Sequence, residues 1–425
     1  MEKMLTSQPS GIISSVLSKI KVLGPGMLMA AAAIGGSHLV ASTQAGARYG
    51  WHLVGLIILV NLLKYPFYRS GFTYPMATGQ SLLHGYLLMG RRYLALSFLL
   101  NLFASVVSCA ALVMFSASLL SYFLPIQLPL SMLSLIIVVL SLLIILAGHF
   151  SFLNRISKVI VVTLAIATII AVGMAWHNGS MAPAGYSAPS PWHLASVGFL
   201  VITMGWMPAP IEVSCITSLW LMRQRQQQEV TTSSALFDFN LGYCISAVLA
   251  VAFLALGALV LNGRADSLAA GGVNFTHQLI SIYASTIGNW ARYLIAMIAF
   301  LCIFGSVITV VDGYARVLNE SARLLFRQTE NDNPRHFSYW VLFVTLLGFV
   351  LALFFKSALL AMLGFAMTLA FITTPLFAWL NHRLVHSMPK SQGVRPNRYL
   401  SWLSRIGLIY LFGFLVVFIG WKWFM

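Results

Sequence analysis

The sequence predicts an all-α membrane protein, built as two inverted five-helix halves followed by an eleventh transmembrane helix. Three observations predict it. Of 425 residues, 59% are hydrophobic and 8% charged, whereas a soluble domain carries about a quarter charged residues; the mean hydropathy is +0.88. Apolar runs of about the 20 residues that cross a bilayer recur eleven times. The first and sixth runs, which open the two halves, are both interrupted by Gly or Pro near mid-depth, the sequence pointer to a secondary transporter with inverted repeats.

The runs, in order, are about Leu23–Ala47, Leu53–Ser70, Tyr93–Phe123, Leu130–Ala147, Ile156–Trp176, Leu194–Met222, Leu236–Leu261, Ile287–Leu318, Tyr339–Phe355, Ala358–Leu380 and Trp402–Trp423. The first is too long for a signal peptide and lacks a cleavage site before the next run. The domain division that follows is a tail over 1–22, a ten-helix core over 23–384 with repeats of about 23–176 and 194–384, and a loop with the eleventh helix over 385–425.

Net charge is +16, and its use is topological. With the N-terminus cytoplasmic, most basic residues fall inside or near the inner face, among them Lys19, Lys21, Lys64, Arg69, Arg91, Arg92, Lys158, Arg223, Arg316, Arg323, Arg383, Lys390 and Arg395. Only Arg48, Arg264, Arg292, Lys356 and Lys422 fall outside. The C-terminus is then external and the location is the cell membrane. The segment Leu325–Phe337 reads as a solvated inner loop and Asn178–His193 as an external one. No basic stripe interleaved with aromatics is present, which argues against nucleic acid as a partner. The four cysteines, Cys109, Cys215, Cys244 and Cys302, lie in apolar runs without metal-site spacing and read as small buried hydrophobes.

Irregular backbone within a bilayer persists only where it is buried in protein or lines a cavity. The first run carries Gly35-Gly36-Ser37-His38, and the sixth carries Gly205-Trp206-Met207-Pro208-Ala209-Pro210. The Gly35–His38 and Met207–Pro210 segments are expected to be non-helical and to face each other across one cavity. Taken alone, either could be a Gly/Pro kink; their paired placement points to a substrate site.

Several motifs then resemble Nramp-family metal transporters. Gly24-Pro25-Gly26, Gln44-Ala45-Gly46-Ala47 and Tyr49-Gly50 resemble that family's first helix, Met207-Pro208 the Met-Pro pair of its sixth, and Phe237-Asp238-Phe239-Asn240 the start of its seventh. The resemblance extends over nearly the whole chain in span number and order and implies the LeuT-like five-plus-five fold. The family's first-helix motif is Asp-Pro-Gly-Asn, whose Asp and Asn ligate metal. Here the corresponding residues are Gly35, Gly36, Ser37 and His38. Its Met-Pro-His becomes Met207-Pro208-Ala209, and its tenth-helix Gln has no counterpart near Met362–Thr368. The residues that remain include no first-helix carboxylate, which disfavours Mn²⁺ or Fe²⁺.

Helix N-termini attract anions. The expected substrate is therefore a small anion, bicarbonate foremost, or a small polar solute, contacting Gly35, Gly36, Ser37, His38, Met204, Met207, Pro208 and Ala209. A divalent-metal transporter with an atypical site of His38, Met207 and Glu212 is the alternative. His38 could equally be a buried histidine bonded to a carbonyl. Acids within spans are few: Glu212, Asp238 and Asp312. Glu212 follows the sixth-run break and reads as a proton carrier, a cation ligand or a helix N-terminal carboxylate. Asp312 and Arg316, four apart, read as an intrahelical ion pair. Asp238 reads as an N-cap or the partner of a base. By analogy with the fold, a sodium ion would lie between the first helix, at the carbonyls of Ala33 and Gly36, and the eighth, at Ser306 and Thr309. No cofactor or resident metal is expected beyond coupling Na⁺ or H⁺. The partners are the lipid bilayer and the solute, and the oligomeric state is open. The chain has no HExxH and no GxSxG, so an enzyme is not expected, nor is a channel, for want of a selectivity-loop repeat.

Overall fold

The computed structural model describes residues 23–147, 150–263, 272–327, 334–355, 358–389 and 393–424. The tail over 1–22, with Lys19 and Lys21, lies outside them, as do Arg264, Lys356 and Lys390. The described elements are helical, as expected of a chain that must satisfy its backbone internally within lipid.

The first half runs through α1 (Pro25–Ala33), a π-helical segment (Ser37–Ser42), α2 (Thr43–Tyr49), α3 (Val54–Thr78), α4 (Leu82–Met89), α5 (Arg91–Leu120), α6 (Leu130–Leu146) and α7 (Phe150–Asn178). The second half runs through α8 (Val197–Gly205), α9 (Val213–Gln227), α10 (Thr232–Val260), α11 (Gly272–Ile287), α12 (Arg292–Leu325), α13 (Pro334–Phe355) and α14 (Leu359–Ser387), and α15 (Arg398–Phe424) follows. Every expected span has a helical counterpart. Among the described residues, seven single helices are long and apolar enough to cross a membrane, and the bent pair of the first span makes up to eight; α3, the counterpart of the second expected span, is not among them. The fourth is shorter, at 17 residues, and the sixth is divided.

Two helices were not expected. Ser81 opens α4 by accepting from His84 N at 3.3 Å. The segment α11 is amphipathic, burying Phe275, Leu279 and Ile280 at helical spacing; it displaces the eighth span's start from Ile287 to Arg292. The expected inner loop Leu325–Phe337 is shorter than read, because α13 begins at Pro334, a residue suited to a helix's first turn.

The core joins helices far apart in the chain. Helix α12 packs along α5, α10 runs against α1, the π-helical segment and α2, α9 lies on α3, and α14 on α8. The contact of α10 with α1 explains two motifs together. Asp238 on α10 accepts from Gly26 N at 2.7 Å and from Met27 N at 3.3 Å, so this carboxylate caps α1 rather than its own helix. A side chain on Gly26 would overlap the Asp238 carbonyl, which is why glycine stands there. Helix α10 itself starts with a capping box: Thr231 Oγ1 accepts from Ser234 N, and Ser234 Oγ accepts from Thr231 N at 3.1 Å. Helix α15 packs on α3, α8 and α14 and exposes Ile409, Val416 and Ile419, a face for lipid. Of the cysteines, Cys109, Cys215 and Cys302 are buried; Cys244, expected to be buried, is exposed, because it faces outward from α10.

Candidate functional site

The first span breaks at Ile34 and Gly35, where the chain bends by 46°. This is narrower than the expected Gly35–His38: Gly36 is helical, and Ser37 and His38 belong to the π-helical segment. The sixth span is non-helical from Trp206 through Glu212, and its Met207–Pro208 bond is cis. The two breaks face each other across a cavity of about 30 Å³, lined by Ala33 and Gly36 from one and by Trp206, Ala209 and Pro210 from the other. Ala32 of α1, Ser108 and Leu112 of α5, Val213 of α9, and Val310 and Tyr314 of α12 complete the wall, which is mainly apolar.

The expected contact residues divide. Gly36 and Ala209 line the cavity, as does Ala33 from the expected ion site. Gly35 faces Ser306 on α12. Ser37 Oγ lies 2.8 Å from the Ala33 carbonyl and 2.7 Å from His38 Nδ1. His38 Nε2 lies 2.8 Å from the Ser246 carbonyl, and its ring meets Phe253 edge-on at 6.4 Å. His38 is thus turned toward α10, with both ring nitrogens partnered. Met204 Sδ accepts from Tyr410 of α15 at 2.8 Å. Met207 is buried with Phe199, Met204 and Leu254. Neither methionine side chain lines the cavity.

The carbonyls left by the first break are met largely from α12. Cys302 Sγ donates to Ile34 O at 2.8 Å, and Ser306 Oγ reaches Ala31 O at 2.9 Å. Thr309 Oγ1 turns back on its own helix, to Gly305 O and Ser306 O. Ala33 O receives Gly35 N as well as Ser37 Oγ. Ser306 therefore faces the break and Thr309 does not.

The carbonyls of the sixth-span break are met by a lysine. Lys64, placed by its charge near the inner face, is instead fully buried in α3. Its Nζ donates to Met204 O at 2.7 Å, Gly205 O at 3.2 Å and Ala209 O at 3.4 Å. An ammonium would have one N–H donor for each of these acceptors. Tyr68, one turn further along α3, donates to the Ala209 carbonyl. Gly205 also touches α14 so closely that a side chain there would overlap Met367 O.

Beyond this clamp stands Glu212, fully buried at the start of α9. Tyr314 O–H donates to its Oε1 at 3.3 Å, and its Oε2 has no hydrogen-bond partner. The Trp206 indole N–H is likewise buried without one. Buried polar groups are nearly always paired, so such exceptions call for an explanation. The opening amides of α9 are taken by turn carbonyls: Val213 N by Pro210 O, Ser214 N by Ile211 O and Cys215 N by Glu212 O. Asp312 and Arg316 form a two-point pair, Oδ1–NH2 at 2.7 Å and Oδ2–Nε at 2.8 Å, and Trp220 Nε1 donates to the same Oδ2 at 3.1 Å. This cluster lies on α12 away from the cavity lining. Among the described residues, no three His, Cys, Asp or Glu side chains converge as a metal group would require.

Sequence reasoning passed over Lys64, Tyr68, Ser108 and Tyr314. A lone lysine inside an apolar run was a signal for the first; nothing in one sequence marks the other three. Trp206 stood within the interrupted motif without being assigned a role.

No family model matches the chain. The fold is shared with solved structures of a manganese transporter from Eremococcus coleocola. One variant aligns with a TM-score of 0.71 at 13% identity, covering 97% of this chain and 88% of that one. The same transporter, in complex with an aromatic bis-isothiourea substituted compound, aligns with a TM-score of 0.67 at 14% identity over the same shares. At such identities the likeness is one of fold, and the fold is a multi-pass membrane transporter's. A protein of Pasteurella multocida (strain Pm70), described as uncharacterized, is 47% identical over 406 residues, 95% of this chain and 93% of that protein. On that similarity, which runs through both broken spans and nearly the full length of both chains, this protein belongs to the same family as the Pasteurella multocida protein.

Proposed function

We propose that the chain is a secondary active transporter of the Nramp-related type, lacking the usual metal motif, that moves a small anion, bicarbonate foremost, or a small polar solute. The observation that carries this reading is the cavity between the two breaks. At about 30 Å³ it accommodates an ion or one or two waters, not an amino acid or a sugar. Trp206, whose buried indole N–H has no partner, contributes its ring to the wall, and Lys64 clamps the segment behind it. A lysine amine behind the site, when protonated, suits an anion. Glycine and His at the family's Asp and Asn positions, with no converging ligand group among the described residues, disfavour a divalent cation. The turn bonds at the start of α9 occupy that helix's first amides, so the reading does not rest on them.

Glu212 is the proposed coupling residue for H⁺, because its unpartnered oxygen is a place for a proton beside the site. Coupling to Na⁺ between the first break and α12 would use Ser306 more directly than Thr309. The core over 23–384, its repeats at about 23–176 and 194–384, the appended eleventh helix, the inward N-terminus and the outward C-terminus belong to the same proposal, with the lipid bilayer as the surrounding partner.

A second reading, divalent-metal transport, is favoured by one observation: the solved structures of the same fold are of a manganese transporter. Uptake into proteoliposomes separates the two. Labelled bicarbonate and Mn²⁺ are offered under sodium and proton gradients. Bicarbonate uptake without Mn²⁺ uptake is expected. Calorimetric Mn²⁺ binding at micromolar concentration, lost in Glu212→Gln or His38→Ala, would defeat the anion reading and restore the metal one.

A further inference from the structure

We propose that the cavity where α3, α14 and α15 meet, at the end of the bundle marked as cytoplasmic by its basic residues, is a binding site for a phosphate-bearing anion. It is separate from the transport cavity and does not rest on the identity of the transported solute.

This cavity is about 160 Å³, several times the space between the breaks. Its wall holds Arg69 from α3, His382 and His386 from α14, Arg395 and Asn397 from the connecting loop, and Ser404 from α15. Among the described residues, no Asp or Glu lines it. Basic and donor groups converging without a carboxylate leave a positive field that an anion neutralises. Arginine is the residue suited to two-point contact with phosphate oxygens.

The donors are held in place. The imidazoles of His382 and His386 stack at 4.0 Å with 28° between their planes. His382 Nδ1 lies 3.0 Å from Ser404 Oγ. His386 Nδ1 donates to His382 O at 2.8 Å, and its Nε2 lies 3.3 Å from Ser401 Oγ. Arg69 NH1 donates to Tyr65 Oη at 3.0 Å, which occupies one of five guanidinium N–H groups. Asn397 Oδ1 accepts from Leu400 N at 2.9 Å and so caps α15, whose positive dipole end is directed at the cavity. Tyr399 and Trp402, 83% and 55% exposed beside the opening, are the aromatic pair of a membrane interface. An opening beside such a pair would lie near lipid phosphates and within reach of water. A headgroup phosphate and a free phosphate share the chemistry this site recognises.

The test uses the full chain in nanodiscs, either of phosphatidylcholine alone or with about a third phosphatidylglycerol, an anionic lipid. Inorganic phosphate is titrated calorimetrically in the first, and the unfolding temperature is compared between the two. Arg395→Gln changes an exposed loop residue, so folding is retained; Arg69→Gln adds to it. Arg383→Gln is the control, because Arg383 lies on the same end of α14 but is stacked on Tyr93 and Trp379 at 5.0 and 5.5 Å. Phosphate binding in phosphatidylcholine, weakened about tenfold by Arg395→Gln and unaffected by Arg383→Gln, supports the site and names free phosphate as its source. Stabilisation by phosphatidylglycerol alone, lost in the Arg69/Arg395 variants and kept in the control, supports it with a lipid source. Absence of both effects, or equal loss in Arg383→Gln, overturns the proposal.

Discussion

The two broken spans occupy corresponding places in the chain but are held in different ways. At the first, the freed carbonyls of Ala31 and Ile34 find neutral donors on α12, and Ser37 and His38 satisfy themselves against Ala33 and Ser246. At the sixth, three carbonyls converge on the buried Lys64 amine, while the Trp206 N–H and Glu212 Oε2 remain without partners. The first break is a bend at Ile34 and Gly35 whose freed carbonyls are satisfied. The second carries Lys64, Glu212 and the unused hydrogen-bonding capacity, so the chemistry of recognition belongs mainly to it.

That contrast is broken most severely by Lys64→Met. Removing the amine leaves buried carbonyls unpaired, an expected loss of about 1–3 kcal/mol for each group left unsatisfied, read as a lowered unfolding temperature together with lost uptake. Ser306→Ala, the comparable change at the first break, should cost only about 1 kcal/mol. Equal effects of the two would erase the distinction.

Gly36→Val joins the breaks sterically. A β-carbon at Gly36 would sit 3.0 Å from the Trp206 ring and 3.1 Å from Leu363, so the branched side chain fills the cavity. Uptake should fall below detection while chromatographic behaviour stays that of the parent; retained uptake would place the solute path elsewhere.

Glu212→Gln keeps an acceptor for Tyr314 and removes the titrating oxygen. Proton-driven uptake should be abolished and counterflow exchange should continue. Survival of proton-driven uptake would leave Glu212 a structural helix-end group.

The mildest effect sharpens the first break. With Ser306 on the Ala31 carbonyl and Thr309 bonded within its own helix, Ser306→Ala should raise the sodium concentration for half-maximal uptake by roughly tenfold, worth about 1.4 kcal/mol, and Thr309→Ala by much less. No sodium dependence in the parent protein would remove a sodium site from consideration.

The all-helical membrane character, the two interruptions and the coarse transporter class are legible in the amino-acid sequence, because they follow from local properties. Apolar length sets what crosses a bilayer, and Gly and Pro weaken a helix wherever they stand. Lys64 shows the limit. A lysine in the sequence is a charge that topology rules assign to a membrane face; whether it snorkels outward or turns inward depends on which neighbours offer acceptors. Those acceptors are 140 or more residues away along the chain.

His38 shows the same limit from the opposite side. Its position in the chain puts it in an interrupted segment beside the expected site, and the structure rotates it onto α10, because a π-helical turn shifts the direction of every side chain after Gly36. Composition, span order and the location of weak points were determined by the sequence itself, since each depends on residues adjacent in the chain. The cap that Asp238 places on α1, the Lys64 clamp on the sixth span, and the facing of Gly36 by Trp206 were decided only in the tertiary structure, because each joins groups that close packing alone brings together.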